Sequence, residues 1–320
     1  MANLQSSSIT GLLKIPLTPN TGSTGNLWFN TTTNKLNLSY CINGFVWISR
    51  ANMNSARNSL AGAGTSTAAL AFGGSPTLNC TESYNGTTWT TGGAMISGRY
   101  SLAGAGATNT AALAFGGQVP GSSRACTETY NGSSWASGGN MITARNTLGG
   151  SGTNTAALAF GGTAGSGSVA CTEAYNGTSW STGGNLIIAR YYIAGAGNTS
   201  ALAFGGYCVP AFVACTESYN GSSWTAGGAL ITARGEAAGA GVSNTSSIAF
   251  GGRTPITLCS AQTYNGTSWT AVGNMNVGRS QLAGAGTTTS ALAFGGSTPS
   301  GSVACTESYS CFNQIFVCTI

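Results

Sequence analysis

LAFGGSPTLNCTESYNGTTWTTGGAMISGR, Leu70 to Arg99, gathers a Gly pair, a Cys, a Glu, a Tyr, a Trp and an Arg into one short run. Around it charge is scarce: Asp, Glu, Lys and Arg make up 5% of the 320 residues, against about 25% in an ordinary globular domain. The run then returns along the chain. AFGG ends at Gly74, Gly117, Gly162, Gly206, Gly252 and Gly296, a spacing of 43 to 46 residues. Asn-Gly followed closely by Trp recurs at Trp89, Trp135, Trp180, Trp224 and Trp269, with an early copy at Trp47. An Arg precedes each small-residue run, at Arg57, Arg99, Arg145, Arg190, Arg234 and Arg279. A fixed period of this length marks a repeat architecture.

Each unit reads as four short strands. LAGAG is the first, ALAFGG the second, CTESY the third, and the strand carrying Trp the fourth. Asn-Gly between the third and fourth is a strong two-residue hairpin signal. No stretch has a helical period. Four strands per unit of about 40–45 residues describe a propeller blade. Near the axis of a propeller space is tight, which suits Gly and Ala in the first strand. The Phe, Tyr and Trp of each unit then fill the wedge between blades.

These units resemble kelch repeats: an apolar strand ending in Gly-Gly, a Glu two before a Tyr, a Trp after a turn, then an Arg. The match spans residues 40 to 309 and implies an all-β, six-bladed kelch-like β-propeller. The chain departs from ordinary kelch repeats in its low charge and in a Cys two residues before each Glu. The first motif element is a Trp strand and the last a CTESY strand ending at Tyr309. The last blade therefore lacks an outer strand, and residues 45 to 48 are expected to supply it, leaving no open edge. Residues 1–39 form an expected attachment arm with a β-hairpin, 40–309 the propeller and 310–320 a tail.

Glu82, Glu128, Glu173, Glu217 and Glu307 admit two readings, a cation-binding ring of carboxylates or ion pairs with Arg57, Arg99, Arg145, Arg190 and Arg279. Buried charge needs a partner and the counts match blade by blade, which favours the pairs. The fifth blade has Gln262 in place of Glu and an extra Glu236, so Glu236 is expected to serve Arg234. Cys80, Cys126, Cys171, Cys215, Cys259 and Cys305 fall once per blade. They lack Cys-x-x-Cys or His spacing for a metal, and neighbouring blades stand too far apart for disulfides. They read as small buried thiols. Cys41, Cys208, Cys311 and Cys318 fall outside the repeat; Cys208 lies in a loop, and a single tail disulfide is open to Cys311 and Cys318. The recurrent NGT and NGS match the glycosylation acceptor pattern, yet the hairpin turn explains the same residues.

The chain has no His and no Asp. Copper oxidases on kelch-like propellers need His, and propeller sialidases rely on Asp, so no catalytic residue, metal or cofactor is expected. Lys numbers two and the Arg residues are scattered, although the formal charge is +5; nucleic-acid binders concentrate such charge on one face. No apolar run approaches the ~20 residues of a membrane span, and the N-terminus shows no secretory signal. The loops after the second strands vary most, and variable loops on a repeated scaffold carry recognition. Tyr207 and Phe212 in YCVPAF, with Arg124 and Arg253, are the candidate ligand-binding residues; ordinary loop packing is the competing account.

Asn26 to Trp47, NLWFNTTTNKLNLSYCINGFVW, reads as strand, polar turn, strand, Asn-Gly turn, strand. It resembles a segment of tailed-phage virion proteins. The resemblance implies a tail fibre or other host-facing appendage, attached to other virion proteins through residues 1–39 and present as a homo-oligomer or in many copies. Host-surface glycan or protein is the expected partner. A purely structural role in the particle and a cellular kelch-like interaction module stand as alternatives.

Overall fold

The computed structural model describes the backbone of residues 25–30 and 35–318 and the side chains of residues 45–311. Among these there is no helix. The chain divides into two compact units, Trp47–Ser310 and Met1–Val46 with Cys311–Ile320. In the second unit, Gly25–Asn30 pairs antiparallel with residues 35–40. The remainder of the attachment arm expected in residues 1–39 lies outside the described residues, as do the side chains of Cys41 and Cys318.

Trp47–Ser310 is a six-bladed β-propeller of four-stranded antiparallel blades. In the first blade the order from the axis outward is Ala61–Gly64, Ala69–Phe72, Thr81–Tyr84 and Trp89–Thr91. Burial follows that order. The innermost strand alternates buried and half-buried residues, the second is buried throughout, and the outer strand buries its Trp alone. Strand periodicity of two puts alternate residues on opposite blade faces, so a strand packed on both faces, such as ALAF, carries no polar residue.

The wedge between blades is aromatic. Phe72 of the first blade meets Trp135 of the second edge-on at 5.0 Å, and Tyr130 flanks the same indole at 5.0 Å. The Trp135 Nε1–H donates to Thr81 Oγ1 across the blade boundary at 2.9 Å. Equivalent bonds join Trp89 to Thr306, Trp180 to Thr127, Trp224 to Thr172 and Trp269 to Thr216. At Gly104 an added Cβ would stand 2.7 Å from the Gly62 carbonyl and 2.7 Å from the Phe72 ring. Crowding near the axis is thus the reason for the Gly-Ala strands.

Closure joins the two chain ends. Within Trp47–Ser310, the Trp47–Arg50 end of strand Lys35–Arg50 supplies the outer strand of the sixth blade, beside the start of Thr306–Cys318, then Ser290–Phe294 and Ala283–Thr287. Trp47 then packs on Phe250 and Tyr309 as the other indoles pack in their wedges. One local expectation is corrected: Asn43–Gly44 makes no turn, because Lys35–Arg50 is one continuous strand. Its sheet neighbour, Thr306–Cys318, is itself long enough to continue the ladder. The tail expected at 310–320 is strand as far as Cys318.

Candidate functional site

Five Arg–Glu pairs lie inside the blades. Arg57 and Arg145 approach Glu82 and Glu173 at 3.2 Å, and Arg99, Arg190 and Arg279 pair with Glu128, Glu217 and Glu307. All ten side chains are buried. Each carboxylate also ties down the linker entering its blade: Ile96 and Ser97 N–H donate to Glu128 at 2.7 and 3.3 Å. The guanidinium in turn donates to a second-strand carbonyl, Arg145 to Ala159 at 3.1 Å. These groups hold blades together, and a buried charge with this many partners has little left for a ligand.

The fifth blade breaks the pattern. Glu236 does not pair with Arg234. Arg234 reaches into its blade and donates to the Gly251 and Ser260 carbonyls at 2.9 Å each and to Ser260 Oγ at 2.8 Å. Glu236 lies two residues on, in a left-handed turn at φ 58°, and faces Arg253 at 3.0 Å. Burial without a carboxylate pushes the Arg234 guanidinium down to about 10. Gln262 still accepts the Ile231 N–H at 3.0 Å, so the linker contact survives the loss of charge.

The cysteine register is also corrected. Gly73 N–H donates to Cys80 O, and its counterpart Gly251 N–H donates to Ser260 O. Ser260, not Cys259, therefore stands at the repeated thiol position. The repeated thiols are half-buried rather than fully buried, and Arg145 Nη1 donates to Cys171 Sγ at 2.7 Å. Cys208 is half-buried and not disulfide-bonded. Asn85 Oδ1 accepts the Thr87 and Thr88 N–H groups at 3.0 and 2.9 Å, which is the turn geometry of an Asx residue.

One face of the propeller carries the loops after the second strands. In blades two to six these loops are two-stranded ribbons, such as Tyr207–Cys208 with Ala211–Phe212. On the same face, six residues just ahead of the innermost strands close a backbone ring. Ser101 N–H donates to Ser59 O, Thr147 to Ser101, Tyr192 to Thr147, Glu236 to Tyr192, Gln281 to Glu236 and Ser59 to Gln281, at 2.8 to 3.0 Å. All six have φ of 52° to 58°, a left-handed conformation normally left to Gly or Asn. The axial channel below is a cavity of about 240 Å³ walled by Gly, Ala, Leu and Ile, with Ser151 its one hydroxyl side chain. It offers little chemistry.

One sector of this face differs. Tyr191, Tyr192, Tyr207, Phe212, Arg253 and Pro255 line a cavity of about 460 Å³ between the ribbons of blades four and five, within the roughly 300–1,000 Å³ of ligand pockets. Four rings run in a chain: Tyr191 lies 5.0 Å from Tyr192 and 5.4 Å from Tyr207, and Tyr207 lies 5.0 Å from Phe212. The Arg253 guanidinium sits 5.8 Å above the Phe212 ring, a cation–π distance. Its side chain is 44% exposed while Glu236 beneath it is 1% exposed. Burial first, then Glu236, raises the Tyr192 phenol, so it remains a neutral hydroxyl.

Three of the four sequence-selected residues, Tyr207, Phe212 and Arg253, thus stand together. Arg124 is exposed just after the ribbon of blade two, away from them. Sequence reasoning missed Tyr191 and Tyr192, although RYYI is the one copy with two aromatics after the repeated Arg. It also gave Glu236 the wrong partner.

A scan against protein-family models and a search of curated proteins each found no match. Among solved structures, the chain is similar to the structure of YjhT, with a TM-score of 0.69 and 14% identity, covering 83% of this chain and 99% of that one. At this identity the similarity is one of fold. The fold and blade pattern define a six-bladed β-propeller of four-stranded antiparallel blades.

Proposed function

We propose that this chain is a non-enzymatic virion protein of a tailed phage, a tail fibre or other host-facing appendage whose propeller recognises the host surface. The observation that carries the recognition role is the cleft between the ribbons of blades four and five. It gathers four aromatics and a half-exposed Arg in one cleft of the face that carries the variable loops. Exposed aromatic and Arg clusters are the usual anchors of binding sites. The virion assignment draws on the Asn26–Trp47 segment and on the Ser-, Thr- and Gly-rich, charge-poor composition. Five of the six acidic residues hold blades together, which favours binding over acid–base chemistry. Many copies on one particle would convert weak single contacts into avidity.

Mass spectrometry of purified particles from the source tests the reading. The expected result is this chain in the particle at a multiple of three or six copies, with purified protein binding host cells. Its absence from particles and presence in cell extract overturns the virion role and leaves a cellular interaction module.

A further inference from the structure

The recognition face has a charge arrangement that bears on which ligand it takes. Glu236 is the one acidic residue in the sequence outside the Arg–Glu pairs of the blades. It sits in the ring of left-handed residues, buried, with neither carboxylate oxygen in a hydrogen bond; Arg253 Nε is likewise buried and without one. The two groups face each other at 3.0 Å, carboxylate below and guanidinium above. The fifth blade therefore lacks the carboxylate that its own Arg234 would take and keeps one under the cleft instead. A buried carboxylate offsets the charge of the cation it faces, so the exposed part of Arg253 offers N–H donors from a pair that is neutral overall.

We propose, resting on the recognition reading above, that this cleft binds a neutral saccharide. The apolar C–H face of a pyranose ring would lie against the Tyr207 ring, with Phe212 standing at 81° beside it and carrying Arg253 over its own face. Its hydroxyl or ring oxygens would accept from the exposed N–H groups of Arg253. Aromatic walls with donors at the floor suit a ligand that is apolar on one face and rich in acceptors at its edge. An acidic sugar would instead press its charge on an Arg whose charge Glu236 already balances, and would feel that carboxylate beneath. A protein side chain could fill the aromatic wall but gains less from donors that stand beside it. Glu236 is a positioning residue here. It fixes the guanidinium and sets the sign of the cleft without touching ligand.

The test uses the full chain with two sets of probes: methyl glycosides and short oligosaccharides of neutral hexoses and N-acetylhexosamines, and glucuronic acid glycosides of matching length. Binding is followed by ligand-observed NMR and calorimetry, with host-cell binding measured in parallel. The expected result is millimolar or tighter binding of at least one neutral probe. Phe212→Ala and Arg253→Ala weaken it more than tenfold, and Tyr207→Phe stays within twofold, since the Tyr207 hydroxyl donates to the Pro210 carbonyl rather than to the cleft. Glu236→Gln unmasks the Arg253 charge, so the neutral probe weakens several-fold while the acidic one gains several-fold, with a new salt dependence. A general loss of fold cannot improve one ligand while weakening another, so that reversal separates positioning from structural damage. Host-cell binding with no neutral probe bound, with acidic probes preferred by the wild type, or with capture of host protein alone overturns this inference and leaves the recognition reading standing. No host-surface binding at all removes both.

Discussion

Replacing Gln262 by Glu should stabilise the propeller. Arg234 is fully buried, yet it has neutral carbonyls and the Ser260 hydroxyl where its five counterparts have a carboxylate. Burial lowers its guanidinium well below the usual arginine range, to about 10. At about 1.4 kcal/mol per pH unit, that drop is on the order of 3 kcal/mol of uncompensated charge burial. The site is already shaped for a carboxylate, because Gln262 Oε1 accepts the same linker N–H that Glu128 accepts in the second blade. Gln and Glu are nearly isosteric, so no packing changes. A new pair should recover about 1–3 kcal/mol, or ~3–10 °C in Tm for a domain of this size. The matched control is Glu128→Gln, which leaves Arg99 without its carboxylate and should cost about 3–5 kcal/mol. Urea midpoints and calorimetric Tm read both. A Gln262→Glu variant no more stable than wild type, beside a strongly destabilised Glu128→Gln, would refute the reasoning: Arg234 would then be adequately served by its neutral acceptors.

Trp47 Nε1 is buried without a partner, because blade five carries Ala261 where other blades carry Thr. Ala261→Thr should therefore add about 1 kcal/mol, and Thr81→Val, which leaves Trp135 Nε1 unpaired, should remove about 1–3 kcal/mol, both by urea denaturation. Gly104→Ala forces a methyl to 2.7 Å from a backbone carbonyl and an aromatic ring that cannot both retreat; it should lower stability by about 1–3 kcal/mol or more, and a neutral result would mean the blades slide apart freely. Burial raises the Tyr309 phenol to about 12. Its contribution is intact below about 10, where the unfolded phenol titrates, and is lost as pH climbs through 12. Tyr309→Phe should flatten the fall in Tm between pH 10 and 12 relative to wild type, with ultraviolet tyrosinate absorbance tracking the same window.

The repeat was legible because each blade solves the same packing problem. Gly-Ala at the axis, ALAF between two neighbours, and Trp at the wedge follow from crowding and burial, and crowding is a local matter that composition records. Ring closure was legible for a related reason: an unmatched Trp strand at one end and a missing one at the other have to meet. The pairing of Glu with Arg in five blades could be read from the matching counts. The fifth blade could not. Gln262, Ser260 and Ala261 look in sequence like scattered drift, and Glu236 looks like a replacement for the lost acid. The left-handed turn at residue 236 sends that side chain to Arg253 instead.

The candidate site was half visible. Tyr207, Phe212 and Arg253 could be singled out as unusual loop residues, but the loops gave no way to separate them from Arg124. Their neighbourhood depends on the angular position of blades around the ring. Blades four and five are adjacent, so their ribbons share a cleft with Tyr191 and Tyr192, whereas blade two faces elsewhere. What the sequence determined by itself is the repeated element, since strand periodicity and burial act within about forty residues. What only the tertiary structure decided is which non-repeated side chains meet. That depends on the rotation between blades and on six left-handed turns held by a closed ring of hydrogen bonds, a constraint that exists only once the circle is complete.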